Sequence, residues 1–485
     1  MSISEYIILF LNSGIFVFSV MITVSYVILG MCSGKEMIDY RHKNSFVDYR
    51  IILSSPLTPP ISIIAPAYNE EVTIIENIKS LMLLHYGNFE VIIVNDGSTD
   101  STMQKLIAHF DLYEIPFAYN ERIDTKPIRG IYKSKIASCH KLTIVDKING
   151  GKADAINSGI NVSHHAIFAC IDVDCILDEQ ALLKMIKPFL EYSKSKVIAT
   201  GGVVRIANSC EVEDGKIAKI HLPNKFLPRV QVLEYFRAFL LGRMAWGKLD
   251  GLMIISGAFG FFNKEITIET GGYNTDIVGE DMELTVRMRK YMEEKNEDYV
   301  VSFIPDPLCW TEVPDTKKIL ERQRNRWTRG TIETLWIHKN IFFNPKYNVL
   351  GMLSYPYWFF FEWLAPIIEF SGLCYFTFLI FYGSVNWPFC IALLALIYTF
   401  AIAHSLFAIL FEELTFHQYK KPKDMFKLVL TSLLEPFTFH LLTIGWSVKG
   451  NIDLLLGKKK NWGEMKRSGF GVECEEIADL KTNEI

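Results

Sequence analysis

Five consecutive residues, Gln323-Arg324-Asn325-Arg326-Trp327, combine side chains that are suited to binding a sugar phosphate. In a helix, Gln323, Arg326 and Trp327 share one face because their spacing is i, i+3 and i+4. The guanidinium can bind a phosphate through two parallel hydrogen bonds, and the indole ring is a flat surface on which a sugar or a base can stack. Arg-rich helices also lie at membrane interfaces without a ligand, so the motif alone leaves both interpretations open.

Two carboxylates follow directly after an apolar run at residues 166–171. Asp172 and Asp174 cannot both belong to a core, since ionised carboxylates are almost never buried without a partner. Mg²⁺ and Mn²⁺ prefer oxygen ligands, and such sites often contain only one or two protein carboxylates plus substrate phosphates. The pair is therefore a candidate metal site, although Asp-x-Asp also occurs in ordinary turns.

Two further polar segments have a local interpretation and a ligand-binding one. Asp96 lies in a turn and helix-cap sequence that can also present its carboxylate to a base or a ribose. Gly150-Gly151-Lys152 places glycines before a lysine at a predicted helix start, an arrangement that suits a phosphate. The spacing differs from that of a nucleotide-hydrolase P-loop, so that class is excluded.

The acidic segment Gly279-Glu280-Asp281 precedes a helical pattern at residues 284–292. Acidic residues in a first helical turn are favoured by the helix dipole, so they indicate no function by themselves. The functional interpretation needs one of these carboxylates as a general base. Residues 256–262, Ser-Gly-Ala-Phe-Gly-Phe-Phe, are either a buried strand flexed by glycine or the wall of a ligand site.

Strands alternating with helices predict an α/β domain with a mostly parallel sheet. The predicted strands are residues 61–65, 89–94 and 166–171, and the predicted helices are residues 72–84 and 101–110. In such sheets, ligands bind beyond the carboxyl ends of the strands. Polar side chains stand at these ends: Tyr68 and Glu70 after the first strand, Asp96 after the second, and Asp172 and Asp174 after the third. We therefore expect one shared site at this edge.

The composition restricts the class of protein. Half of the 485 residues are hydrophobic, which is high for a soluble protein. The net charge of −4 gives no electrostatic footprint for nucleic acid. The nine cysteines are scattered and form no Cys-x-x-Cys pair, which argues against a zinc site and a disulfide framework and fits a domain in the reducing cytosol.

Several apolar segments are long enough to cross a membrane. The candidates are residues 6–31, 350–382, 387–411 and 425–448. The first lacks the basic leader of a signal peptide, so we expect an uncleaved anchor. The basic loop at 420–423 and the basic tail should both be cytosolic. An interfacial or re-entrant element bent at Pro436 satisfies both and is slightly favoured over a full span.

These patterns divide the chain into four segments of a multi-pass protein of the cell membrane. They are an N-terminal transmembrane helix at residues 1–32, a cytosolic catalytic domain at 33–344, a transmembrane or channel region at 345–456 and a cytosolic tail at 457–485. The catalytic segment is expected to begin with a polar linker that ends near residue 60.

Taken together and in order, these blocks resemble the family 2 membrane-embedded processive glycosyltransferases. That group includes cellulose, chitin, hyaluronan, poly-N-acetylglucosamine and mixed-linkage β-glucan synthases. The resemblance covers residues 61–327. It implies a GT-A fold, which is a Rossmann-like α/β domain, inserted between transmembrane and interfacial helices, and it implies Mg²⁺ or Mn²⁺ as a cofactor.

The resemblance also implies a role for each candidate residue. Tyr68, Glu70 and Asp96 would hold the uridine, Lys152 the diphosphate, Asp172 the nucleotide and the metal, and Asp174 the metal. Asp281 would be the general base beside a substrate-binding Glu280, and Gln323, Arg326 and Trp327 would line the diphosphate and the acceptor sugar at a channel mouth. Two departures are the Asn95-Asp96 pair, of which only Asp96 is carried over, and Gly279-Glu280-Asp281 in place of the Thr-Glu-Asp of cellulose synthases.

The implied activity is that of a processive inverting transferase that polymerises a UDP-sugar and passes the β-linked product through its own channel. UDP-glucose and a β-glucan, including a mixed-linkage one, are the first choice. The alternatives are a poly-N-acetylglucosamine or hyaluronan-like synthase using UDP-N-acetylglucosamine and, less favoured, a non-processive lipid-linked sugar transferase. The expected partners are the donor, the growing polysaccharide, the lipid bilayer and accessory export or cell-wall proteins that the sequence does not identify.

The segment 350–382 has two features that bear on a channel. Glu362 and Glu369 lie on its apolar faces, and intramembrane carboxylates generally mark a functional path. Its first half is rich in aromatic residues, namely Tyr355, Tyr357, Trp358, Phe359, Phe360, Phe361 and Trp363. These suit either stacking along a sugar polymer or an interfacial belt, and the sequence leaves the choice open.

Overall fold

The computed structural model describes residues 3–192, 194–213, 215–383 and 385–458. The tail predicted at 457–485 therefore lies outside the described residues, apart from its first two.

Ten strands in the described part of the chain form one mixed sheet, in the order β3-β4-β5-β2-β1-β6-β11-β8-β12-β7. The strands are β1 Ile61–Ala67, β2 Phe89–Asn95, β3 Leu112–Glu114, β4 Ile128–Ser134, β5 Leu142–Lys147, β6 Ile167–Ile171, β7 Ile176–Leu177, β8 Lys196–Ile206, β9 Glu211–Glu213, β10 Lys216–Lys219, β11 Phe259–Asn263 and β12 Tyr299–Thr311. Strands β9 and β10 form a separate hairpin.

The helices lie on both faces of the sheet and beyond it. They are α1 Ile3–Asn44, α2 Tyr49–Ser54, α3 Ile74–Met82, α4 Thr102–Phe110, α5 Lys152–Val162, α6 Ala181–Glu191, α7 Phe226–Tyr235, α8 Met244–Lys248, α9 Lys264–Glu269, α10 Glu280–Lys295, α11 Lys317–Ile337, α12 Tyr355–Tyr357, α13 Ala365–Tyr382, α14 Trp387–Thr415, α15 Pro422–Leu434 and α16 Phe439–Leu455. Three π-helical segments, Phe236–Arg243, Leu350–Ser354 and Trp358–Trp363, join neighbouring helices.

The strands that carry the predicted site are parallel, as expected. Strand β1 pairs in parallel with β2 and β6, and β2 pairs in parallel with β5. Ala67 is in register with Asn95, and the N–H of Asp96 donates to the carbonyl of Ala67 at 2.9 Å. The three predicted strands and both early helices are thus confirmed to within a few residues, and their carboxyl ends meet at one edge.

Side chains of β1 alternate between two cores. Ile61, Ile63 and Ala65 belong to the core beneath α3, α4 and α6, whereas Ile64 packs on the opposite side with Ile156 of α5. This alternation is the two-residue period of a strand. Because both faces are covered, the site can open only at the edge of the sheet.

Helix α1 corrects one prediction, since it continues to Asn44 instead of ending at residue 32. The first part of the expected linker is therefore helical. Its polar residues are held by the α/β unit: Lys248 of α8 pairs with Glu36 at 2.9 Å and with Asp39 at 2.7 Å, and Met37 is buried. Tertiary contacts extend the helix beyond the apolar run.

Within the described residues, three helical segments are long and apolar enough to cross a membrane, namely Ile8–Asn44, Leu350–Tyr382 and Trp387–Thr415. A bent pair, Pro422–Phe437 with Phe439–Leu455, passes the same test as a unit and bends by 48°. The break lies at Thr438, two residues beyond Pro436, at which the sequence predicts the bend.

One buried arginine joins this bend to the α/β unit. Nη1 of Arg237, on the π-helix Phe236–Arg243, lies 2.7 Å from Oε2 of Glu435, and Nη2 pairs with Oε1 of the same carboxylate. Nη1 also donates to Oγ of Ser405 on α14 at 2.5 Å. The side chains of Arg237 and Glu435 are 21% and 7% exposed, so either charge without its partner would be costly.

We expect Glu435→Leu to destabilise the protein by about 3–5 kcal/mol, because it leaves the buried Arg237 without a counter-charge. The double variant Arg237→Met/Glu435→Leu should recover most of that loss. The measurement is thermal unfolding of the full chain in detergent, with Asp315→Asn as a control, since Asp315 pairs with Lys225 at an exposed position. If the loss in the double variant equals the sum of the losses in Arg237→Met and Glu435→Leu, the pair contributes no mutual stabilisation.

Candidate functional site

One cavity of about 1610 Å³ opens at the carboxyl edge of the parallel strands. All the candidate residues line it: Tyr68, Glu70, Asp96, Lys152, Asp172, Asp174, Glu280, Asp281, Gln323, Arg326 and Trp327. The structure therefore brings together every site residue chosen from the sequence. Their individual roles stay predictions.

Asp96 organises the glycine loop in front of α5. Its Oδ1 accepts from the N–H of Gly150 at 2.9 Å, and its Oδ2 accepts from the N–H of Gly151 at 2.8 Å. Lys147 donates to Oδ1 at 3.0 Å. Two carboxylate oxygens offer about four acceptor positions, so Asp96 can order this loop and still accept a hydrogen bond from a ligand.

Lys147 is a site residue that the sequence analysis missed. Its side chain is fully buried and pairs with Asp96 and with Asp154 of α5, whose side chains are 5% and 7% exposed. Lys147 ends β5 and stands fifty-one positions from Asp96 in the chain. Only the strand order places it there, although a lysine at the end of an apolar strand is a signal that it needs a partner.

Lys152 forms a second cation–carboxylate group. Its Nζ pairs with Oδ1 of Asp172, lies 4.0 Å from Oε1 of Glu280 and donates to the carbonyl of Gly257 at 3.4 Å. Burial alone would lower the pKa of Lys152, but the carboxylates of Asp172 and Glu280 outweigh it and raise that pKa. Burial raises the pKa of Glu280 above its usual range, and Lys152 opposes that rise.

Asp172 and Asp174 follow the last residue of β6, as predicted. Asp172 is half-buried, and Asp174 is buried with 8% of its surface exposed. Among the described residues, no group of three or more His, Cys, Asp or Glu side chains is arranged to hold a metal. Two oxygen donors nevertheless fit a divalent ion whose remaining ligands are substrate phosphates and water.

Asp281 lies in the first turn of α10, against the segment that precedes β11. Its Oδ2 accepts from the N–H of Gly257 at 3.1 Å, and its Oδ1 accepts from its neighbour Met282 at 2.8 Å. A Cβ on Gly257 would lie 3.1 Å from Nζ of Lys152 and 3.4 Å from Oδ2 of Asp281. Of the two interpretations of residues 256–262, the close-approach wall therefore applies to Ser256–Ala258, and the buried strand begins at Phe259.

Gln323, Arg326 and Trp327 share one face of α11, as their spacing predicts. The guanidinium of Arg324 lies 4.1 Å from the ring of Trp327, and its Nη2 pairs with Glu234 at 2.6 Å. Arg324 thus holds the Trp327 ring, which is 44% exposed. The sequence analysis gave no role to Arg324 or Glu234.

The cavity continues from this site into the apolar helices. Its far part is lined by Tyr357, Trp358, Glu362, Trp363 and Glu369, together with residues of α14 and α16. Glu369 pairs with His440 of α16 at 2.8 Å. The aromatic run therefore divides, because Tyr357, Trp358 and Trp363 line the cavity while Phe359 and Phe360 pack against Phe342 outside this lining.

Two family sequence models match the chain. One, described as Glycosyl transferase family group 2, matches residues 167–403, and the other, described as Glycosyl transferase family 2, matches residues 62–123. Together they span the segments that contain every candidate residue lining the cavity except Lys152, which lies between the two matches. With the α/β sheet and its edge site, they confirm the expected fold class.

Curated relatives are similar over part of their length. A poly-beta-1,6-N-acetyl-D-glucosamine synthase from Staphylococcus epidermidis is 27% identical over 327 residues, which are 67% of this chain and 66% of the relative. A protein of the same description from Staphylococcus aureus strain COL is 28% identical over 278 residues, which are 57% of this chain and 55% of the relative. The chain thus matches just under two thirds of the first relative and about half of the second.

A solved mannosyltransferase from Pyrobaculum calidifontis, in complex with GDP-Man and Mn²⁺, aligns with 90% of this chain and 100% of its own at 15% identity and a TM-score of 0.47.

The buried lysine gives a testable consequence. We expect Lys147→Met to destabilise the protein by about 3–5 kcal/mol, because it leaves Asp96 and Asp154 buried without a cation. Adding Asp154→Asn should restore part of the loss. Lys135→Met is the matched control, since Lys135 pairs with Asp111 at an exposed site. Unfolding midpoints of the full chain in detergent measure the effect. Equal small changes in Lys147→Met and Lys135→Met would contradict the prediction.

Proposed function

We propose that this chain, which matches glycosyl transferase family 2 models over residues 62–123 and 167–403, polymerises UDP-N-acetylglucosamine into a β-linked polysaccharide. The product would pass through the membrane region of the same chain. The observation that carries the proposal is the continuity of the cavity. The same space is bounded by Asp172 and Asp281 at one end and by Glu362 and Glu369 of an apolar helical segment at the other. A product formed beside Asp281 has a direct path toward the membrane helices.

The choice of donor corrects the first expectation from the sequence. UDP-glucose and a β-glucan have no support from the relatives, whose names specify poly-beta-1,6-N-acetyl-D-glucosamine. The alternative donor, UDP-N-acetylglucosamine, fits them better. For this chain we propose a β-linked N-acetylglucosamine polymer and leave the linkage position to experiment.

The proposed chemistry is a single inverting displacement. Asp281 accepts the proton of the acceptor hydroxyl as that oxygen bonds to the anomeric carbon. The bond between this carbon and the diphosphate breaks on the opposite face, and its electron pair leaves with UDP. An α-linked donor then gives a β-linkage. The N–H groups of Gly257 and Met282 hold the Asp281 carboxylate while lone pairs remain free to take the proton.

The other residues bind and orient the donor. Tyr68, Glu70 and Asp96 would hold the uridine, and Lys152, Gln323 and Arg326 would hold the diphosphate. Mg²⁺ or Mn²⁺, held by Asp172 and Asp174, would supply positive charge to offset that of the departing diphosphate. Trp327 would provide the ring on which the acceptor sugar stacks.

We propose that the α/β unit, within residues 33–344, faces the cytosol and that residues 345–456 enclose the path for the polymer. The basic residues 420–423 support this orientation through the positive-inside rule. They lie beside Tyr419, which is buried. The ring of Tyr419 packs against Phe236, on the π-helix that links α7 to α8 of the α/β unit. This contact supports an arrangement in which the basic loop and the α/β unit share one side of the membrane.

The test is product formation by the purified full chain in nanodiscs, supplied with one radiolabelled UDP-sugar at a time. UDP-N-acetylglucosamine with Mg²⁺ or Mn²⁺ should give a polymer that a β-N-acetylglucosaminidase degrades, and excess chelator should abolish it. Asp281→Asn should keep UDP affinity and lower turnover by at least about a hundredfold, the lower range for loss of a general base. Polymer from UDP-glucose alone, or transfer only to lipid, would refute the proposal.

Two substitutions on α11 separate nucleotide binding from elongation. Trp327→Ala should shorten or abolish the polymer at near-normal UDP affinity, because it removes a stacking surface and no phosphate contact. Arg326→Ala should weaken UDP binding itself by removing a charge-assisted contact. Calorimetry with UDP and gel analysis of product length give the two readouts. Equal losses of UDP affinity in both variants would indicate that α11 only holds the domain at the bilayer.

A further inference from the structure

Arg243 lies where the cavity passes from the α/β unit to the membrane helices, and nothing above gives it a role. It is the last residue of the π-helix Phe236–Arg243, and it lines the cavity. The carboxylates that attract its charge are Asp281, the proposed base, and Glu362, on the π-helical segment Trp358–Trp363. Arg243 therefore lines the cavity within the electrostatic reach of both the proposed base and a carboxylate of the apolar helical segment.

The hydrogen-bonding capacity of Arg243 is not used within the described residues. Its Nη1 is buried and has no hydrogen-bond partner there. The guanidinium is held only by the ring of Phe239, whose centroid lies 4.0 Å away. Arg237, on the same π-helix, differs because Glu435 and Ser405 satisfy it. Arg243 thus lacks the hydrogen-bond partners that Arg237 has.

A buried guanidinium nitrogen without a partner requires an explanation. Burial lowers the pKa of Arg243 to about 10, so the group still carries its charge at neutral pH. Keeping a charged, desolvated donor unpaired is costly, and π-helical segments are frequent at functional sites. The simplest partner is a ligand oxygen that occupies the cavity beside Asp281.

The position of Arg243 selects the acceptor over the donor. The groups proposed to hold the diphosphate, Lys152 and Arg326, are at the nucleotide end, and the charges that act on Arg243 are the base and an intramembrane carboxylate. The acceptor sugar is the ligand that must lie between Asp281 and the membrane. Its hydroxyl and acyl oxygens accept hydrogen bonds from the planar guanidinium.

We propose that Arg243 binds the terminal sugar of the growing polymer and directs its hydroxyl toward Asp281. This assignment rests on the proposed function, since it requires a sugar acceptor in the cavity. Arg243 is an acceptor-binding residue in this scheme and takes no part in holding the nucleotide.

The experiment measures donor and acceptor properties separately in the full chain in nanodiscs. Arg243→Met removes the donors at similar side-chain length. It should leave UDP affinity and the slow hydrolysis of UDP-N-acetylglucosamine without acceptor unchanged. It should raise the KM for a soluble β-linked N-acetylglucosamine trisaccharide by about tenfold to a hundredfold, the range for a lost hydrogen bond to a charged group.

Two further variants support this comparison. Arg243→Lys keeps the charge without the fork of donors, so it should raise the acceptor KM less than Arg243→Met does. Arg229→Met is the matched control, because Arg229 of α7 donates to Thr431 of α15 at 2.8 Å and to the carbonyl of Asn224 at 3.0 Å, outside the cavity lining. Its acceptor KM should equal that of the wild type. If Arg243→Met does not fold, as judged by thermal unfolding of the full chain in detergent, Arg243→Lys decides the question.

The outcomes are distinguishable. An unchanged acceptor KM, with the acidic limb of the pH–rate profile moved to higher pH, would mean that Arg243 only balances the charge of Asp281, and the assignment would be overturned. Weaker UDP binding would place Arg243 at the donor and overturn it as well. A wild-type enzyme that elongates no N-acetylglucosamine oligomer would refute the proposed function itself.

Discussion

Two lysines, Lys147 and Lys152, neutralise the carboxylates that gather at the carboxyl edge of the sheet. The parallel strands bring Asp96 and Asp172 to one edge, and the helix that follows adds Asp154. Carboxylates gathered in a space with little water need cations, since an unpaired buried charge costs several kcal/mol. Lys147 serves Asp96 and Asp154, and Lys152 serves Asp172. The glycine loop, the start of α5 and the wall at Ser256–Ala258 all take their positions from these two pairs.

A close contact between Gly279 and Gly330 joins the acidic segment at the start of α10 to α11, which carries Arg326 and Trp327. A Cβ on Gly279 would lie 2.7 Å from Cα of Gly330, so any larger side chain would separate α10 from α11. This contact fixes the position of Asp281 on α10 relative to Trp327 on α11. On its other side α11 packs on α16, where Asn325 donates to Asp453 at 2.8 Å. The proposed base, the stacking ring and the membrane helices form one connected body.

The sequence predicts what short-range pattern controls. Strand ends, the first turn of α10 and the shared face on α11 follow from periods of two and 3.6 residues, and the polar residues at those places reach the cavity as expected. Lys147 and Glu234 were missed because Asp96 and Arg324, with which they pair, lie far from them in the chain. Arg243 was missed because the π-helix places it. Helix α1 extends to Asn44 for the same reason, through pairs with Lys248.

The sequence motifs do not select the donor sugar, for a different physical reason. The motif residues are proposed to bind the uridine and the diphosphate, which all the candidate donors share, and the acceptor hydroxyl. Their pattern therefore carries no information on the substituent at the second carbon of the donor sugar. Discrimination between a hydroxyl and an acetamido group requires buried polar groups shaped to one of them. Such groups belong to the residues that line the sugar pocket, and the sequence motifs do not identify those residues.

The charges along the cavity indicate how one space can serve both synthesis and passage. In its membrane part, Glu435 is paired with Arg237 and Glu369 with His440. Paired charges present hydrogen-bonding groups without a strong net field, and a neutral sugar chain can exchange such bonds as it advances, whereas an ionised chain would compete for the pairs and bind tightly. The exception is Arg243, whose free donors lie beside the proposed base. In the proposed scheme, this guanidinium, which has an unsatisfied nitrogen within the described residues, holds the chain end at the position where the reaction takes place.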